Sequence, residues 1–306
     1  MKIFSFVRRV KRFLNKFYFS TKIQKFAAMG KEKKVEKRQK NEQDASGKKY
    51  KKIREQNKRR GTSGYASSAK KEVVTEHPKF ENIFVNKNKM DSIMTTNMVP
   101  GTSVYNEKRT SMTKNGKTIE FRHWNPYRSK LAAGIVCGLD DIFIKKGTKV
   151  LYLGAANGTT LSHVSEIVGE DTMIYAVEFS VRTGRDLINL AMKRKNIVPI
   201  IADARNPSAY RMLVPLVDTI FTDVSQFDQS RIVMENAQYF LKDGGNILIS
   251  IKASCVDSSI PADQVFANEV NWLKKNEFKP LEQVTLEPYE RNHALLVGMF
   301  KPGYKK

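Results

Sequence analysis

The stretch Lys149 to Thr160, KVLYLGAANGTT, decides the fold class of this 306-residue chain. Its apolar run VLYL predicts a buried strand, and the glycines that follow predict a tight turn. Thr159 and Thr160 carry side-chain oxygens suited to helix capping, so we expect a helix that begins at Leu161. A strand, a glycine turn and a helix are the first part of a nucleotide-binding βαβ unit.

Downstream of this stretch, strand and helix patterns alternate, which predicts a doubly wound α/β sheet. The expected strands are Val150–Leu153, Ile174–Glu178, Ile197–Ala202, Val217–Asp223, Asn246–Ile251, Gln283–Leu286 and Ala294–Phe300, and the expected helices are 159–168, 182–195, 207–213, 228–241 and 261–276. No helix separates the last two strands, so they must form a hairpin. The fold class is therefore a seven-stranded Rossmann-like methyltransferase sheet, mostly parallel, with an antiparallel last strand.

The positive charge of the chain is concentrated in its first 71 residues. They contain 24 Lys/Arg against 5 Asp/Glu, and therefore a net charge of +19 out of +23 for the whole chain. Such an excess is typical of tails that contact phosphates without sequence preference or direct nuclear import, although a merely solubilising arm has the same composition. Few side chains after residue 30 can be buried, so we expect residues 1–72 to form a disordered, Lys-rich arm.

Residues 1–28 form a distinct part of this arm, because they contain no acidic residue and place apolar side chains at three- and four-residue spacing. This pattern is typical of a basic amphipathic helix, which would target a mitochondrion or lie on an anionic membrane. The composition changes at Met29. A second interpretation is therefore that translation starts there and that the preceding residues are a spurious extension.

Residues 73–125 predict a small β-rich subdomain, and residues 126–306 predict the methyltransferase domain. Short runs at Phe80–Val85 and Thr118–Trp124 read as strands, and Asn115-Gly116 is a hairpin dipeptide. The chain has only two cysteines and no apolar run long enough to span a bilayer. We expect a soluble intracellular protein without a disulfide framework.

A ligand site is predicted at the rim where the strands end. The dehydrogenase pattern G-x-G-x-x-G is absent, and no Lys-Ser/Thr pair follows the glycines, so a pyrophosphate or triphosphate is not indicated. A nucleoside without phosphates, such as S-adenosylmethionine, suits the turn. Glu178 would accept from two ribose hydroxyls, Asp203 would receive the adenine amino group, and Asp223 would hold the methionine ammonium or attract the sulfonium. One such acid alone is more simply a cap or a surface charge, but three at successive strand ends favour a site.

Two lysines stand beside this rim. Lys252 follows the expected strand Asn246–Ile251, and Lys130 lies near the start of a helix expected over Ser129–Leu139. Methyl transfer to a hydroxyl requires removal of the hydroxyl proton, and a lysine accepts a proton only in its neutral form. A second ammonium nearby favours that form, so Lys130 close to Lys252 would serve this chemistry; otherwise both are ordinary lysines at element ends.

The roles of the four histidines are less clearly indicated by the sequence. His293 precedes the last expected strand, where it would contact substrate or cap the strand. The other three histidines have no Cys or His at metal-ligand spacing, so no metal site is expected.

Eight blocks of the chain resemble the fibrillarin family of RNA 2′-O-methyltransferases, and together they cover essentially all of residues 73–302. They are NMVPGTSVYNEKR (97–109), WNPYRSKLAAGI (124–135), KVLYLGAANGTTLSHVS (149–165), YAVEFSVRTGRDLINLA (175–191), DARNPSAYRML (203–213), DVSQFDQSRI (223–232), ISIKASCVDS (249–258) and LEPYERNHALLVG (286–298). The resemblance implies a catalytic set of Lys130, Asp223, Lys252 and His293. It also implies S-adenosylmethionine contacts at Thr159, Thr160, Glu178, Phe179, Asp203, Ala204, Asp223, Val224, Ser225 and Gln226.

The resemblance further implies guide-directed methylation of ribose in ribosomal RNA. The implied partners are box C/D guide RNA, pre-rRNA, a coiled-coil scaffold protein and a kink-turn-binding protein. The implied location is the nucleolus within the nucleus, with mitochondrial targeting by residues 1–28 as the alternative. Methylation of a core-histone glutamine, which some family members perform, and a catalytically silent scaffold role are the alternative functions.

Three features depart from the family pattern. Asn157 stands where the family usually has Ser, a small polar exchange with little expected effect. Phe227 stands where the family usually has Pro, close to Asp223, so the loop at the rim is expected to differ. A Lys-rich arm takes the place of the Gly/Arg-rich amino-terminal region of eukaryotic members. Nucleolar retention would then depend on phosphate contacts of that arm.

Overall fold

The computed structural model describes residues 73–87, 89–114 and 116–303 of the chain. The arm predicted to be disordered and the amphipathic pattern of residues 1–28 lie outside the described residues. The described residues form two β-sheets, both within one compact unit, Lys71–Lys306.

The smaller sheet has five antiparallel strands in the order β1-β2-β3-β5-β4. They are β1 (Val74–Glu76), β2 (Ile83–Asn86), β3 (Lys89–Thr96), β4 (Arg109–Lys114) and β5 (Lys117–His123). The hairpin predicted at Asn115-Gly116 is confirmed, since Lys114 pairs with Lys117 across it. The sequence indicated only β2 and β5. It missed β4 because RTSMTK is a polar edge strand with no apolar alternation.

The larger sheet has seven strands in the order β11-β12-β10-β9-β6-β7-β8. They are β6 (Val150–Leu153), β7 (Ile174–Glu178), β8 (Ile197–Ile201), β9 (Val217–Thr222), β10 (Leu241–Lys252), β11 (Phe278–Thr285) and β12 (His293–Phe300). Neighbouring strands from β10 to β8 are parallel. Strand β12 is antiparallel to both β10 and β11, so the predicted terminal hairpin is confirmed.

Six helices of the described residues connect these strands: α1 (Lys130–Val136), α2 (Thr159–Val168), α3 (Val181–Lys193), α4 (Gln229–Phe240), α5 (Ala253–Val256) and α6 (Ala262–Lys275). The helix predicted over 207–213 is wrong: a 3-10 turn spans only Pro207–Tyr210. The segment ends at Pro215, and the residue before a proline avoids helical geometry. No helix among the described residues is both long enough and apolar enough to cross a membrane.

The predicted threonine cap of α2 is also wrong. The helix begins at Thr159 itself, and its N-cap is Gly158, which has a positive φ of 85° and no side chain that could accept from the N–H groups of the first turn. The glycine turn therefore runs directly into the helix. The hydroxyl of Thr160 is left for another partner, Ser129.

The core fills both faces of the larger sheet. Helices α1, α2 and α3 cover one face, where Leu131, Leu161 and Leu187 are fully buried. Helices α4 and α6 cover the other face with Val233 and Leu273. Because both faces of the sheet are covered by helices, the edge where the strands end is the part of the sheet that is left open to a ligand.

The smaller sheet is joined to α2 by buried charges. Arg122 on β5 donates through Nη1 to Glu166 at 2.8 Å and through Nε to Glu107 at 2.5 Å. Arg194 donates to the same Glu166 oxygen at 2.6 Å. Burial raises the pKa of the Glu166 carboxyl, and the two arginines act against that shift. We call Glu107, Arg122, His163, Glu166 and Arg194 the buried charge cluster.

Candidate functional site

The predicted site residues converge on one edge of the larger sheet. Glu178 ends β7, Asp203 follows β8, Asp223 follows β9 and Lys252 ends β10. Strand β12 runs in the opposite direction, so its first residue, His293, reaches the same edge. Sheet topology alone thus places side chains from five strands at one rim.

Gly154 makes the turn after β6 possible. Its φ is +81°, and a Cβ there would lie 2.9 Å from Val224 Cγ1 and 3.0 Å from the carbonyl oxygen of Asp223. Any other residue would be strained and would push against the loop after β9. The backbone of the turn therefore approaches the Asp223 loop closely, which leaves the space above it for a ligand.

A cavity of about 310 Å³ lies beside this turn. Its wall contains eight of the ten residues predicted to contact the cofactor: Glu178, Phe179, Asp203, Ala204, Asp223, Val224, Ser225 and Gln226. The volume is near the lower end of the roughly 300–1,000 Å³ range of ligand pockets. The Phe179 side chain is 74% exposed, which is unusual for a large apolar ring and suits a stacking partner.

Glu178 is held in place by three donors. Its Oε2 accepts from the Ala156 N–H at 2.7 Å, and its Oε1 accepts from the N–H of Ser180 and the hydroxyl of Thr183, both at 2.9 Å. A carboxylate has about four lone-pair sites, so these contacts leave capacity for a ligand hydroxyl. The carboxylate is thus positioned before any ligand arrives.

Asp203 lies in a loop that is tied across the cavity. Its Oδ1 accepts from the Arg205 N–H at 2.9 Å, and Arg205 Nη2 donates to Gln226 Oε1 at 2.6 Å. Arg205 Nε also lies 3.5 Å from Asp228. These contacts connect the loop after β8 with the loop after β9, the two loops that face each other over the cavity. Sequence reasoning missed Arg205.

Asp223 and Lys130 form the central ion pair of the rim, with 2.7 Å between Lys130 Nζ and Asp223 Oδ1. Burial raises the pKa of the Asp223 carboxyl, while the charges of Lys130 and His293 oppose the rise and Glu290 adds to it. The direct partner of the Lys130 ammonium is therefore the Asp223 carboxylate. The predicted effect of Lys130 on Lys252 stays a prediction.

Lys252 and His293 are direct partners across β10 and β12. Directly opposite residues of an antiparallel pair project on the same face, with Cβ atoms about 5 Å apart. His293 Nδ1 lies 2.7 Å from the Arg291 carbonyl oxygen. A carbonyl only accepts, so Nδ1 carries the proton and Nε2 of the neutral ring is an acceptor.

Thr159 and Thr160, the other two predicted cofactor residues, lie outside the wall of this cavity. Thr159 lines a separate cavity of about 500 Å³. The Thr160 hydroxyl donates to Ser129 Oγ at 3.0 Å, and Ser129 Oγ in turn accepts from the Ala132 N–H as the cap of α1. This bridge fixes the start of α1, where Lys130 sits. Ser129 was missed as a site residue, although a serine one residue before Lys130 was a visible capping signal.

No group of three metal-binding side chains occurs within the described ranges. The chemistry of the rim is instead that of carboxylates, two lysines, a histidine and a stacking ring. Carboxylates with spare lone pairs suit ribose hydroxyls and an ammonium, and the exposed Phe179 ring suits adenine. The residues present therefore fit S-adenosylmethionine.

A comparison with family models matches residues 74–302 to the fibrillarin model. The match spans both sheets and every rim residue. The chain belongs to the fibrillarin family. This agrees with the resemblance of the eight sequence blocks, and it assigns the smaller sheet to the family as well as the larger one.

Individual relatives agree with this assignment. The rRNA 2′-O-methyltransferase fibrillarin of Encephalitozoon cuniculi is 60% identical over 245 residues, which are 80% of this chain and 84% of the relative. The solved structure of Aeropyrum pernix fibrillarin with natively bound S-adenosyl-L-methionine is 41% identical, with a TM-score of 0.67, and covers 74% of this chain and 97% of its own. Fibrillarin from a fibrillarin/Nop5p complex is 34% identical, with a TM-score of 0.63, and covers 72% and 98%.

Proposed function

We propose that this protein is an S-adenosylmethionine-dependent methyltransferase that modifies ribose 2′-hydroxyls of ribosomal RNA. The observation that carries the proposal is the Lys130–Asp223 ion pair at the rim, beside the cavity and next to Lys252 and His293. Family membership supports it, since the Encephalitozoon cuniculi relative is named an rRNA 2′-O-methyltransferase.

Glu178, Phe179 and Asp203 would hold the nucleoside part of the cofactor. Glu178 accepts from ribose hydroxyls, Phe179 offers its exposed ring to the adenine, and Asp203 accepts from the adenine amino group. The Arg205–Gln226 contact holds the two loops that bear Asp203 and Asp223 together around the cavity.

Asp223 and Lys130 would act on the positively charged part of the cofactor. The bound cofactor supplies a methyl group on a positively charged sulfur. The Asp223 carboxylate, kept near the rim by Lys130, attracts positive charge at that position. Its pairing with an ammonium favours the ionised form that burial alone would oppose.

Lys252 and His293 would act on the ribose hydroxyl that receives the methyl group. The attacking ribose hydroxyl must lose its proton as the carbon–oxygen bond forms, and a neutral Lys252 amine accepts that proton. Nδ1 of His293 donates to the Arg291 carbonyl, so Nε2 is the ring nitrogen left to face the acceptor. The roles of the four residues are thus cofactor orientation for Asp223 and Lys130, and proton removal for Lys252 with His293.

We further propose that target choice comes from a box C/D guide RNA, in a particle with a coiled-coil scaffold protein and a kink-turn-binding protein. Residues 72–306 are nearly neutral, since they carry 30 Lys/Arg against 26 Asp/Glu. Such a surface offers few base-reading groups. A fibrillarin structure solved with Nop5p is consistent with assembly into a particle.

The cellular location follows from this role. We propose that the protein works in the nucleus and concentrates in the nucleolus, with residues 1–72 as a basic arm, residues 73–125 as a small β subdomain and residues 126–306 as the methyltransferase domain. Tagged proteins that start at Met1 and at Met29 test the location. Nucleolar signal from both supports it, and mitochondrial signal from the longer form contradicts it.

The activity is tested by radiolabel transfer from S-adenosylmethionine to a guide-paired target RNA in the reconstituted particle. We expect label on the RNA and none when the target nucleotide carries a 2′-deoxyribose. Label on the deoxy target would contradict ribose methylation. Calorimetric titration with S-adenosylmethionine separates an enzyme, which binds it, from a silent scaffold subunit, which need not.

A further inference from the structure

Two cavities other than the cofactor cavity share part of their walls. A cavity of about 680 Å³ lies beside Trp124, Tyr127 and Tyr289. The cavity of about 500 Å³ lies beside Thr159 and Lys193. Tyr105, Asn106 and Arg128 line both. The two cavities are therefore parts of one groove between the smaller sheet's loops and the helices of the larger sheet, which we call the Arg128 groove.

The Arg128 groove reaches the proposed catalytic rim. Arg128 precedes Lys130 by two residues, and the two are separated only by Ser129, the cap of α1. Tyr289, which lines the same cavity as Arg128, is followed by Glu290, whose charge acts on Asp223. The residues that follow Arg128 and Tyr289 in the sequence thus connect the groove with the Lys130–Asp223 pair.

The groove offers rings for stacking. Tyr127 and Tyr289 meet edge to face, with ring centroids 5.0 Å apart and an angle of 71° between them. Tyr127 is 62% exposed, so most of its ring is available to a ligand. Asn125 Oδ1 accepts from the Tyr127 N–H at 2.9 Å, which holds the turn that presents the ring. Exposed, positioned rings of this kind suit an unpaired base, because every base has a flat π-face.

The groove also offers positive charge. Arg128 and Lys193 are exposed, and neither lies within ion-pair distance of a carboxylate in the described part of the chain. Arg128 is oriented by a contact of 3.2 Å from Nη1 to the Tyr105 carbonyl oxygen. Two acidic residues also line the groove: Glu107, whose carboxylate is bound by Arg122, and the exposed Asp186. Guanidinium and ammonium groups beside stacking rings are the usual contacts of a single nucleic-acid strand.

We propose that the Arg128 groove binds an unpaired segment of the target RNA that flanks the guide-paired stretch, with one base against Tyr127 and Tyr289 and phosphates beside Arg128 and Lys193. The inference rests on the proposed methylation of RNA, since it gives the strand that leaves the guide duplex a path away from the rim. The protein itself would then hold the target RNA outside the guide duplex, whatever the guide sequence.

The test is photocrosslinking of the full chain to a single-stranded RNA that contains 4-thiouridine. Salt of about 0.3 M weakens the phosphate contacts of the basic arm. We expect crosslinks at Tyr127, Tyr289 or Trp124, and about a tenfold loss of these crosslinks in Tyr127→Ala. Tyr127→Phe keeps the ring and should keep the crosslinks. Tyr239→Ala, which removes another exposed tyrosine far along the chain on α4, should leave them unchanged.

The outcomes separate this inference from the proposed function. If the reconstituted particle methylates RNA equally well with Tyr127→Ala and crosslinks fall only within residues 1–71, the groove is not an RNA site although the enzyme assignment stands. Crosslinking at the groove by duplex RNA but not by a single strand would also overturn the inference. The inference would also be overturned if the scaffold protein occupied the groove and RNA failed to displace it. Absence of S-adenosylmethionine binding would overturn the proposed function itself.

Discussion

Two clusters of charged side chains in this protein have opposite environments. In the buried charge cluster, the Arg122 side chain is fully buried and Glu107 and Glu166 are each about 1% exposed. At the rim, the Lys130 and Asp223 side chains are 22% and 20% exposed, and Asp223 borders a cavity. The first cluster pairs its charges with protein partners, except that Nε of Arg194 has no hydrogen-bond partner among the described residues, and it joins the two sheets. The second leaves charge and lone pairs available, which is the condition for binding a ligand.

The two clusters differ in how many protein partners their charged groups have, and this difference separates charges that stabilise the fold from charges that are available to a ligand. Arg122 donates to Glu107, Glu166 and Ser162, so its donors are used within the protein. Within the described part of the chain Asp223 has one ion-pair partner, Lys130, and burial raises the pKa of its carboxyl. A satisfied buried cluster stabilises the fold, whereas a partly satisfied one at a cavity costs stability and serves chemistry.

The largest effect is expected from Arg122→Met. The change leaves Glu107 and Glu166 buried with fewer partners, and we expect a loss of about 3–5 kcal/mol in the free energy of unfolding. Urea unfolding of the full chain measures this. The matched control is Arg109→Met, which breaks a more exposed pair with Glu120 and should cost less than about 1 kcal/mol. Equal losses in the two variants would contradict the proposed role of the buried cluster.

Lys252→Ala should lower the rate of methyl transfer by at least about a hundredfold, because it removes the proposed proton acceptor. The dissociation constant for S-adenosylmethionine should stay within about threefold. Lys252→Arg should be equally inactive, since a guanidinium keeps its proton. The control is Lys274→Ala, an exposed lysine on α6. Retained transfer in Lys252→Ala would remove Lys252 from the mechanism.

The buried cluster should also produce a pH effect. Burial, together with the charges of Arg122 and Arg194, holds the pKa of His163 well below its usual value of 6.5. The unfolded chain takes up a proton on this ring near pH 6.5 while the folded chain does not. The stabilisation is therefore complete above pH 6.5 and is lost as pH falls below it, with a slope that approaches about 1.4 kcal/mol per pH unit.

Urea unfolding between pH 7.5 and 5.5 measures this slope, and His163→Gln should flatten it. Glu166 contributes with the opposite sign, because burial raises the pKa of its carboxyl above the usual 4.5. An NMR titration of the wild-type ring checks the cause without a variant. A His163 ring that titrates near pH 6.5 in the folded protein would contradict this account.

The smallest effect is expected from Ser129→Ala. The change removes both the cap of α1 and the bridge to Thr160, and it should cost about 1 kcal/mol in unfolding free energy. Because Lys130 is the next residue, the turnover rate should fall severalfold while cofactor affinity is kept. Ser165→Ala removes a buried hydroxyl elsewhere on α2 and should leave turnover unchanged. Equal turnover in both variants would argue against a positioning role for Ser129.

The rim was more predictable from the sequence than the cluster beneath the smaller sheet. Strand ends in a parallel sheet share an edge, so Glu178, Asp203, Asp223 and Lys252 could be placed together from the alternating pattern alone. Arg122 could not be placed in this way. Its partner Glu166 lies 44 residues further along the chain, and nothing in a polar strand and a distant helix shows that they meet.

Side-chain detail was less predictable still. Thr160 was expected to cap α2, but the positive φ of Gly158 lets the helix begin earlier and turns the hydroxyl to Ser129. The Tyr127–Tyr289 ring pair joins residues 162 positions apart in the sequence. Such contacts depend on how the smaller sheet and the terminal hairpin pack, which the local pattern does not encode.

The contrast between the buried charge cluster and the charges at the rim is tested most directly with Asp223→Asn. Unfolding and methyl transfer are measured on the same preparation of this variant. Asn keeps the shape but removes a charge that burial disfavours. We predict a free energy of unfolding within about 1 kcal/mol of the wild type and loss of methyl transfer to the target ribose. Retained methyl transfer, or a loss of stability as large as that of Arg122→Met, would contradict the assignment of Asp223 to function rather than to the fold.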